Sequence, residues 1–422
     1  MMRILFLSHY YPPEVNAPAN RVSELAREWT SAGHQVVVVT CAPNHPYGRL
    51  HPPYRNRLFK RENFDGIEVI RVWTYLAPNA GFFHRIINYL SFLFSVSAQV
   101  GRLPATDVVV STSPQFLCGL AGFVVARVKR APWVLEIRDL WPESIVTVGA
   151  MRRSALIYLL EQMEGWAYRT ADRIVSVTKS FVPHFVGKGA DRGKISVITN
   201  GVDIKAFDDA RDAEAFRAMH GLRGKFVASY IGTHGMAHRL ETILEAAELT
   251  RDDPRIAFLM VGAGAERDRL IAMRARKRLD NVVMLAQMPR SAMPGVWGAS
   301  DVSLVLLKDD PLFHKVIPSK IFEAMAMRRP IVLGLEGEAK EIVVDGGCGI
   351  AIRPGNGEDL AAALRRLVDD PKLVAELGLK GRRLVVEHYD RCKLAAHYLA
   401  ILQETVRATS KGGGVPAPGV SE

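Results

Sequence analysis

The chain has 422 residues, of which 48% are hydrophobic and 23% charged; this is typical of a folded protein and long enough for two separate cores. Residues 1–204 carry 23 Lys and Arg against 15 Asp and Glu, so most of the net charge of +11 lies in the first half. Nucleic acid, anionic lipid and a diphosphate-bearing substrate are all possible partners of this half. A membrane-spanning helix is excluded because no run of about 18 charge-free apolar residues occurs.

Four cysteines are widely separated along the chain: Cys41, Cys118, Cys348 and Cys392. Their spacing does not match a metal site, and a reduced cytosolic setting is the simpler interpretation. The first seven residues are apolar, but His9 and two prolines follow too soon for a signal peptide. They are predicted to form a buried strand.

Strands and helices are predicted to alternate through the first half. A strand at 3–8, an amphipathic helix at 20–31 and a strand at 35–40 are followed by further elements at 107–111, 115–128, 133–137 and 172–178. Continuous apolar strands separated by helices indicate a parallel sheet covered on both faces.

A second series of the same kind follows residue 204. Its predicted elements lie at 226–231, 241–249, 256–261, 266–278, 282–285, 301–307, 321–327 and 331–333. The fold class is therefore α/β, with two doubly wound, Rossmann-like domains at 1–204 and 205–388. A C-terminal helix at about 389–408 is expected to pack back on the first domain, and residues 409–422 have the composition of a flexible tail. Ligands of such sheets bind beyond the carboxyl ends of the strands, so a cleft between the domains is expected.

The loop from Tyr10 to Arg21 follows the first strand. Glu14, Asn16 and Asn20 could hydrogen-bond a hydroxylated or phosphorylated acceptor. Alternatively, Asn20 caps the helix that follows, and both interpretations can hold.

Residues 82–100 have apolar side chains at helical spacing and basic residues on either side. Two interpretations stay open: a broad-faced core helix, or a helix that rests on a lipid surface. On the second, a segment of about 71–102 contacts an anionic membrane.

Charged residues are concentrated at the end of the predicted strand 133–137. Arg138 and Asp139 are candidates for substrate contact there, together with Glu136 and Glu143. A structural salt bridge between Arg138 and one of the carboxylates is the alternative.

Two glycine-containing loops follow the first two strands of the second domain. Gly232, Thr233, His234 and Gly235 could bring backbone amides to an anion, with charge added by His234, His238 or Arg239. Gly262 and Gly264 repeat the pattern one strand later. A turn that needs glycine for its shape alone is the alternative in both places, and a lone G-x-G is poor evidence for NAD.

The stretch from Pro318 to Val332 is the most informative in the chain. It places Lys320 and Glu323 at the start of an apolar helix that leads into a β-branched strand. Glu323 can accept hydrogen bonds from two ribose hydroxyls, and Lys320 can face phosphate oxygens. A solvated Lys-x-x-Glu pair on an ordinary helix is the alternative.

With these motifs located, the chain resembles glycosyltransferase family 4, a family of GT-B fold, over nearly its whole length. The matching residues are the Tyr-x-Pro-Pro loop with Leu25-Ala26 and 33–36, then Arg138 to Glu143, Thr199 to Asp203, Val261-Gly262-x-Gly264, and Pro318 to Glu323. The 138–143 and 318–323 runs look most like enzymes of bacterial surface polysaccharide synthesis, N-acetylfucosamine transferases among them.

The resemblance implies that a sugar, an N-acetylated hexosamine or 6-deoxyhexosamine, moves from a nucleotide-diphosphate donor to a lipid-diphosphate-linked or glycan acceptor, with retention of configuration. It implies a UDP-sugar as the donor, no metal ion or other cofactor, and a cytoplasmic location on the inner face of the membrane. Lys320, Arg239, Asp139 and Arg138 are the catalytic candidates; Ser319 and Met288 complete the donor-binding set.

The chain departs from the family's E-x7-E pattern at one position. Glu323 matches the second glutamate, which holds the nucleotide ribose, but Lys315 stands where the first is expected. Lys315 is therefore predicted to put a positive group near the donor and to share diphosphate binding with Lys320.

Two other classes of protein fit parts of the sequence. A nucleotide-sugar epimerase of GT-B architecture would share the donor site. A nucleic-acid-binding protein would suit the charge, but no aromatic-interleaved basic motif or zinc spacing supports it, and no nucleic-acid partner is expected.

Overall fold

The computed structural model describes residues 1–45, 47–77, 82–113, 115–147, 154–207 and 212–412. The chain divides into two compact units: Met1–Thr199 together with the chain from Leu394 onward, and Asn200–Lys393. Each unit is an α/β domain built on one sheet. The predicted pair of doubly wound, Rossmann-like domains is confirmed.

The first unit contains an eight-stranded sheet. Its strands are β1 (Arg3–Leu7), β2 (Gln35–Cys41), β3 (Phe59–Phe64), β4 (Ile67–Val72), β5 (Val108–Thr112), β6 (Trp133–Ile137), β7 (Arg173–Ser176) and β8 (Ile195–Val197). The order is β3-β4-β2-β1-β5-β6-β7-β8, and every neighbouring pair is parallel except β3 and β4. The inner strands are apolar runs buried on both faces, which is what a sheet covered by helices on both sides requires.

The antiparallel hairpin of β3 and β4 is absent from the predicted elements. β3 alternates half-buried and exposed residues and so contains no apolar run. Its turn is Asp65-Gly66, and both residues have positive φ, 50° and 81°. This is the backbone of a two-residue type I′ turn, which the Asp-Gly pair favours.

The helices of the first unit are α1 (Ala17–Ser31), α2 (Phe82–Ala98), α3 (Phe116–Lys129), α4 (Glu143–Thr147), α5 (Ala155–Thr170) and α6 (Val182–Gly187). Helix α1 begins before its predicted start at residue 20, because Asn16 is the cap: its side chain accepts from the Ala19 amide at 2.9 Å. Pro18 is tolerated in the first turn, where its missing N–H costs no hydrogen bond. Asn20 lies inside the helix, so the predicted cap at Asn20 is wrong.

The second unit contains a six-stranded, wholly parallel sheet. Its strands are β9 (Phe226–Ile231), β10 (Ile256–Val261), β11 (Val282–Leu285), β12 (Val302–Leu306), β13 (Ile331–Gly334) and β14 (Gly349–Ala351), in the order β11-β10-β9-β12-β13-β14. Its helices are α7 (Ala213–Met219), α8 (Glu241–Leu249), α9 (Arg267–Lys277), α10 (Met293–Gly298), α11 (Lys320–Ala326), α12 (Glu338–Lys340), α13 (Gly357–Asp369) and α14 (Pro371–His388).

The last helix, α15 (Arg391–Gly412), returns the chain to the first unit. The Trp29 indole N–H donates to the Ala395 carbonyl at 3.0 Å, and the Trp29 and Tyr398 rings lie 5.3 Å apart. Leu402 is also part of this core. The helix continues to Gly412, so the flexible tail predicted from residue 409 is wrong for its first four residues; residues 413–422 lie outside the described part. Among the described residues, no helix is long and apolar enough to cross a bilayer.

Candidate active site

Two loops of the second unit pack on each other beyond the ends of β9 and β10. A Cβ on Gly262 would lie 1.9 Å from the Gly232 carbonyl oxygen, and one on Gly264 would lie 2.4 Å from the carbonyl oxygen of His234. Gly262 and Gly264 both have φ of +155°, which side-chain-bearing residues rarely adopt. The His234 amide donates to the Ala263 carbonyl at 2.9 Å. The two glycine loops therefore form one close-packed backbone surface.

The Lys320 ammonium lies on that surface. Its Nζ is 3.4 Å from the centroid of the Tyr230 ring and 3.0 Å from the point where a Cβ on Gly232 would stand. The Tyr230 hydroxyl donates to the Thr233 carbonyl at 2.7 Å, which fixes the ring beneath the lysine. The ammonium nitrogen is buried and makes no hydrogen bond within the described residues. A buried, unsatisfied donor of this kind is costly unless a ligand completes it.

The electrostatics of the glycine loops favour an anion. Burial lowers the pKa of Lys320 to about 7, opposed by the nearby Glu323. Burial, then repulsion from Lys320 and Arg267, lowers the pKa of His234 to about 4, and burial and Lys320 lower that of His238 to about 3. Both imidazoles are therefore neutral at pH 7. The positive charge expected of the two histidines is not found.

Arg267 is a second cation that the sequence did not single out. It is the first residue of α9, just after the second glycine loop, and its Nε is buried without a hydrogen-bond partner among the described residues. It lies close enough to His234 to lower that imidazole's pKa. The only sequence signal is a cation that follows the Gly-x-Gly turn.

Glu323 lies in the first turn of α11, and an indole fixes its orientation. The Trp297 Nε1–H donates to Glu323 Oε2 at 3.0 Å, and Trp297 itself is fully buried. The carboxylate is half-buried and close enough to Lys320 to raise the lysine's pKa. The structure thus brings Glu323, Lys320 and the glycine loops together.

The remaining predicted donor residues are less closely tied to Lys320. Ser319 precedes α11, and its side chain makes no capping bond. Lys315 ends the 3-10 turn Phe313–Lys315, and Met288 is half-buried after β11. Arg239 is exposed with φ of +44°, and its guanidinium lies against Gly355. No contact between Arg239 and Lys320 is recorded among the described residues.

In the first unit, Glu14 has a structural role. Its Oε1 accepts from the Asn44 and His45 amides at 2.8 and 2.9 Å, and its Oε2 accepts from the Tyr11 amide at 3.3 Å. It is 2% exposed. The carboxylate joins the loops that follow β1 and β2. Glu14 therefore has this structural role in place of the predicted contact with an acceptor substrate. Asn16 caps α1, as described above.

The charged residues at the end of β6 have different interaction partners. Glu136 is fully buried and pairs with Arg21 at 3.0 Å. Burial raises the pKa of Asp139, while the Ser144 side chain and the Leu140 amide stabilise its carboxylate. Of the carboxylates considered there, Glu136 forms its ion pair with Arg21. Arg138 is half-buried and lies near enough to lower the pKa of Glu136.

A cluster of rings that the sequence did not single out lies just past β1. The His9 ring centroid is 5.0 Å from that of Tyr10 and 5.4 Å from that of Tyr89, and the Tyr10 and His45 rings are 5.0 Å apart. We call His9, Tyr10, His45 and Tyr89 the ring cluster. Its signal in the sequence is an aromatic and histidine pair directly after the first strand.

Two family models match the chain. The model described as a glycosyl transferase 4-like domain matches residues 16–201, and that described as glycosyl transferases group 1 matches residues 212–384. The first falls in one structural unit except for its last two residues, and the second lies wholly in the other.

Among curated proteins, the chain is 25% identical over 387 residues to the colanic acid biosynthesis glycosyl transferase WcaI of Escherichia coli K12, covering 88% of this chain and 93% of WcaI. It is 28% identical to the glycosyltransferase WbjE of Pseudomonas aeruginosa, covering 69% of this chain and 71% of WbjE.

Solved structures share the fold at low identity. Sucrose-phosphate synthase from Thermosynechococcus elongatus superposes with a TM-score of 0.76 at 18% identity, over 97% of this chain and all of that one. Anabaena HepE in complex with UDP and glucose superposes with a TM-score of 0.72 at 18% identity, over 96% of this chain and all of HepE.

Proposed function

The chain belongs to the family 4 glycosyltransferases of GT-B fold, and from that premise we propose that it is a retaining, metal-independent enzyme of bacterial surface polysaccharide synthesis. It transfers a sugar, an N-acetylated hexosamine or 6-deoxyhexosamine, from a UDP-sugar to a lipid-diphosphate-linked or glycan acceptor. WcaI supports the polysaccharide assignment, WbjE supports sugar transfer, and the UDP bound to HepE supports the choice of nucleotide.

One observation carries the donor site: the buried Lys320 ammonium has no hydrogen-bond partner among the described residues and lies on the close-packed glycine loops. A donor diphosphate gives that nitrogen the acceptor oxygens it lacks. Arg267 adds a second charge from the start of α9. As the glycosidic bond breaks, negative charge grows on the leaving diphosphate, and cations already aimed at it stabilise the transition state.

Glu323 is assigned to the ribose of the nucleotide. A carboxylate can accept from two neighbouring hydroxyls, and the bond from Trp297 holds it in one orientation before the donor arrives. Preorganised groups of this kind lose less entropy on binding. Lys315 and Ser319 lie earlier in the same segment and are assigned to the donor's phosphate side.

Retention of configuration is assigned to front-face attack, in which the leaving phosphate oxygen accepts the proton of the acceptor hydroxyl. In this scheme the acceptor is oriented by the first unit. Asp139 acts there as a positioning residue, because the Ser144 side chain and the Leu140 amide already stabilise its carboxylate.

The outer face of α2 is assigned to the membrane. Phe83, Ile87 and Phe94 are 70, 48 and 67% exposed, and with Leu90 they follow one another at intervals of three and four residues. We call these four residues the apolar stripe. From Val69 to Leu135 the chain has six Lys and Arg against one acidic residue, which suits an anionic bilayer. The proposed location is therefore the cytoplasm, on the inner face of the membrane.

The experiment is a thermal-unfolding screen with UDP-, GDP- and dTDP-sugars, run on the wild type and on Lys320→Ala. UDP-sugars are expected to raise the melting temperature of the wild type only. Lys320→Ala should remain folded and lose turnover by a factor of about 100–1,000, as when one donor to a developing charge is removed. Near-normal turnover in Lys320→Ala contradicts the donor site.

NMR of the product determines the reaction type, independently of the thermal-unfolding screen. Incubation with donor and acceptor should give a product with the donor's anomeric configuration, and EDTA should leave the rate unchanged. Epimerised sugar formed from donor alone would instead identify an epimerase.

A further inference from the structure

Helix α2 has two different faces in the first unit. Phe83, Ile87 and Phe94 are exposed, whereas Tyr89 is 3% exposed and Phe92 fully buried. Arg85 belongs to the inner side: it is half-buried, and its Nε donates to the Tyr89 hydroxyl at 3.2 Å. Arg85 therefore does not lie on the exposed side of α2 with Phe83, Ile87 and Phe94.

The guanidinium of Arg85 faces the ring cluster. Burial is the main cause that lowers the pKa of His9 to about 3 and that of His45 to about 4, and Arg85 adds to both shifts, so both imidazoles are neutral at pH 7. Burial opposes the charge on Arg85, whereas Tyr89, Tyr10 and the Asp139 carboxylate favour it and leave the pKa of the guanidinium raised. Those groups come from the loops after β1, β2 and β6 and from α2 itself.

The guanidinium of Arg85 makes few contacts with other groups of the protein. Within the described residues, its side-chain hydrogen bond is that to Tyr89, and the Asp139 carboxylate acts on it by electrostatic attraction. A guanidinium has five N–H donors in a planar fork that matches phosphate oxygens. A half-buried cation with donors to spare, among neutral rings at the carboxyl end of a parallel sheet, suits an anionic group of a bound ligand.

We propose that Arg85 binds the phosphate of a lipid-linked acceptor while the apolar stripe of the same helix lies on the bilayer. This rests on the proposed function. A helix is about 10–12 Å across, and a helix lying in the interface has its apolar face about 5–10 Å deep in the headgroup region. Its inner face is then at headgroup level, where the phosphate of a polyprenyl diphosphate lies. One helix thus contacts both the membrane and the charged end of the acceptor.

The kinetic test compares two acceptors that carry the same sugar: a polyprenyl diphosphate and a phosphate-free octyl glycoside. Arg85→Gln should raise KM for the first about tenfold or more, the loss expected when a charge-assisted bond to phosphate is removed. Its KM for the glycoside and for the donor should stay unchanged, and Arg85→Lys should recover part of the loss. An equal rise for both acceptors overturns the proposal, because that is what a merely structural Arg85 would give.

Two matched variants isolate the contact. Tyr89→Phe removes the bond to Arg85 Nε but keeps the charge, and should keep most of the preference for the diphosphate acceptor. Lys372→Gln removes an exposed cation of α14, to which no binding role is assigned, and should alter neither KM. If Tyr89→Phe abolishes the preference as fully as Arg85→Gln does, the packing of α2 is responsible and the proposal fails.

A binding assay without turnover separates acceptor phosphate from lipid headgroup. Vesicles of phosphatidylcholine carry either farnesyl diphosphate or phosphatidylglycerol of equal total charge. Arg85→Gln should lose the wild type's preference for farnesyl diphosphate and keep its binding to phosphatidylglycerol; no preference in the wild type overturns the proposal. Failure of the proposed function is a different result: normal preference for farnesyl diphosphate but no sugar transfer to either acceptor.

Discussion

Lys320 illustrates the conflict between binding and stability at a single residue. Its nitrogen is buried among Tyr230, Gly232 and the neutral His234 and His238, with Glu323 as the nearby anion. An ammonium in such surroundings is poorly solvated until an anionic ligand arrives. The free protein therefore tolerates a destabilising group that the complex uses.

The burial of Lys320 should make the stability of the free protein depend on pH. The pKa of Lys320 in the folded protein, about 7, lies below its ordinary value of 10.5, so the unfolded chain binds more protons at this residue between those two pH values. The free energy of unfolding contributed by Lys320 is therefore lowest below pH 7 and rises with pH towards 10.5. Lys320→Met should be more stable than the wild type at pH 7, and the difference should disappear near pH 10.5.

Urea denaturation of both proteins at several pH values measures this difference. Lys315→Met is the control, since Lys315 is half-exposed and should show no such trend. A Lys320→Met variant that is less stable than the wild type at pH 7 would mean that the ammonium is stabilised in the free protein.

Single residues also mark the limit of prediction from sequence. Lys320 and Glu323 could be found because a cation and a carboxylate stand at the start of an apolar helix. The Tyr230 ring beneath Lys320 and the Trp297 indole on Glu323 could not, because those contacts join residues about 90 and 26 positions apart on different elements. The side of α2 on which Arg85 lies could not be predicted either, since helical spacing alone does not say which side meets the sheet.

At the scale of elements, the two glycine loops depend on backbone packing that permits no side chain. Gly262→Ala would place a Cβ 1.9 Å from the Gly232 carbonyl oxygen and force a φ near +155° on a residue that avoids it. The loops must then separate, so the variant should lose protection by UDP-sugars and at least about 1–2 kcal/mol of stability. Gly101→Ala is the control, since nothing lies within 4 Å of its Cβ position. Thermal unfolding with and without donor measures both effects, and normal donor protection of Gly262→Ala would contradict this account.

The connection of α1 to β6 is a second prediction at this scale. Arg21 and Glu136 form an ion pair whose side chains are 1 and 0% exposed, and Arg21 also donates to the Ile198 and Thr199 carbonyls. Arg21→Met leaves Glu136 charged and buried, which should cost about 3–5 kcal/mol. Arg3→Met removes a partner from a solvent-exposed pair with Asp107 and should leave the melting temperature nearly unchanged. Equal effects of the two substitutions would argue against the role of burial.

Elements with one dominant local signal were predictable. The strands that were predicted, and α8, fall within one or two residues of their predicted bounds, because buried parallel strands are continuous apolar runs. The short strands β8 and β14, of three residues each, were not predicted. Strand β3 lacks such a run and is the edge strand of its sheet, whereas β4 is mostly buried between β2 and β3 and was not predicted. The start of α1 depended on which of two asparagines caps it, and Pro18 allowed the earlier one.

For the whole molecule, the apolar stripe predicts where the protein is found. Exposing three large apolar side chains is unfavourable in water, and burying each in lipid is worth about 1.5–3 kcal/mol. Phe83→Ser, Ile87→Ser and Phe94→Ser together should therefore reduce binding to phosphatidylglycerol vesicles by a factor on the order of 100 or more. Flotation on a density gradient measures the bound fraction.

The control replaces three other exposed apolar residues, Val186, Met219 and Leu379, by serine. These are scattered over both units and should leave vesicle binding unchanged. If both triple variants detach to the same degree, general surface hydrophobicity is responsible and α2 is not the membrane contact.

The path of α15 has a consequence for synthesis on the ribosome. The core around Trp29 is completed by Ala395, Tyr398 and Leu402, which leave the ribosome only after all of Asn200–Lys393. At about 5–20 residues per second, roughly 10–40 s separate the two halves of that core. During this time the second unit can finish folding while the first still has an open apolar groove along α1. The part of the protein that is made first is therefore the last to be completed.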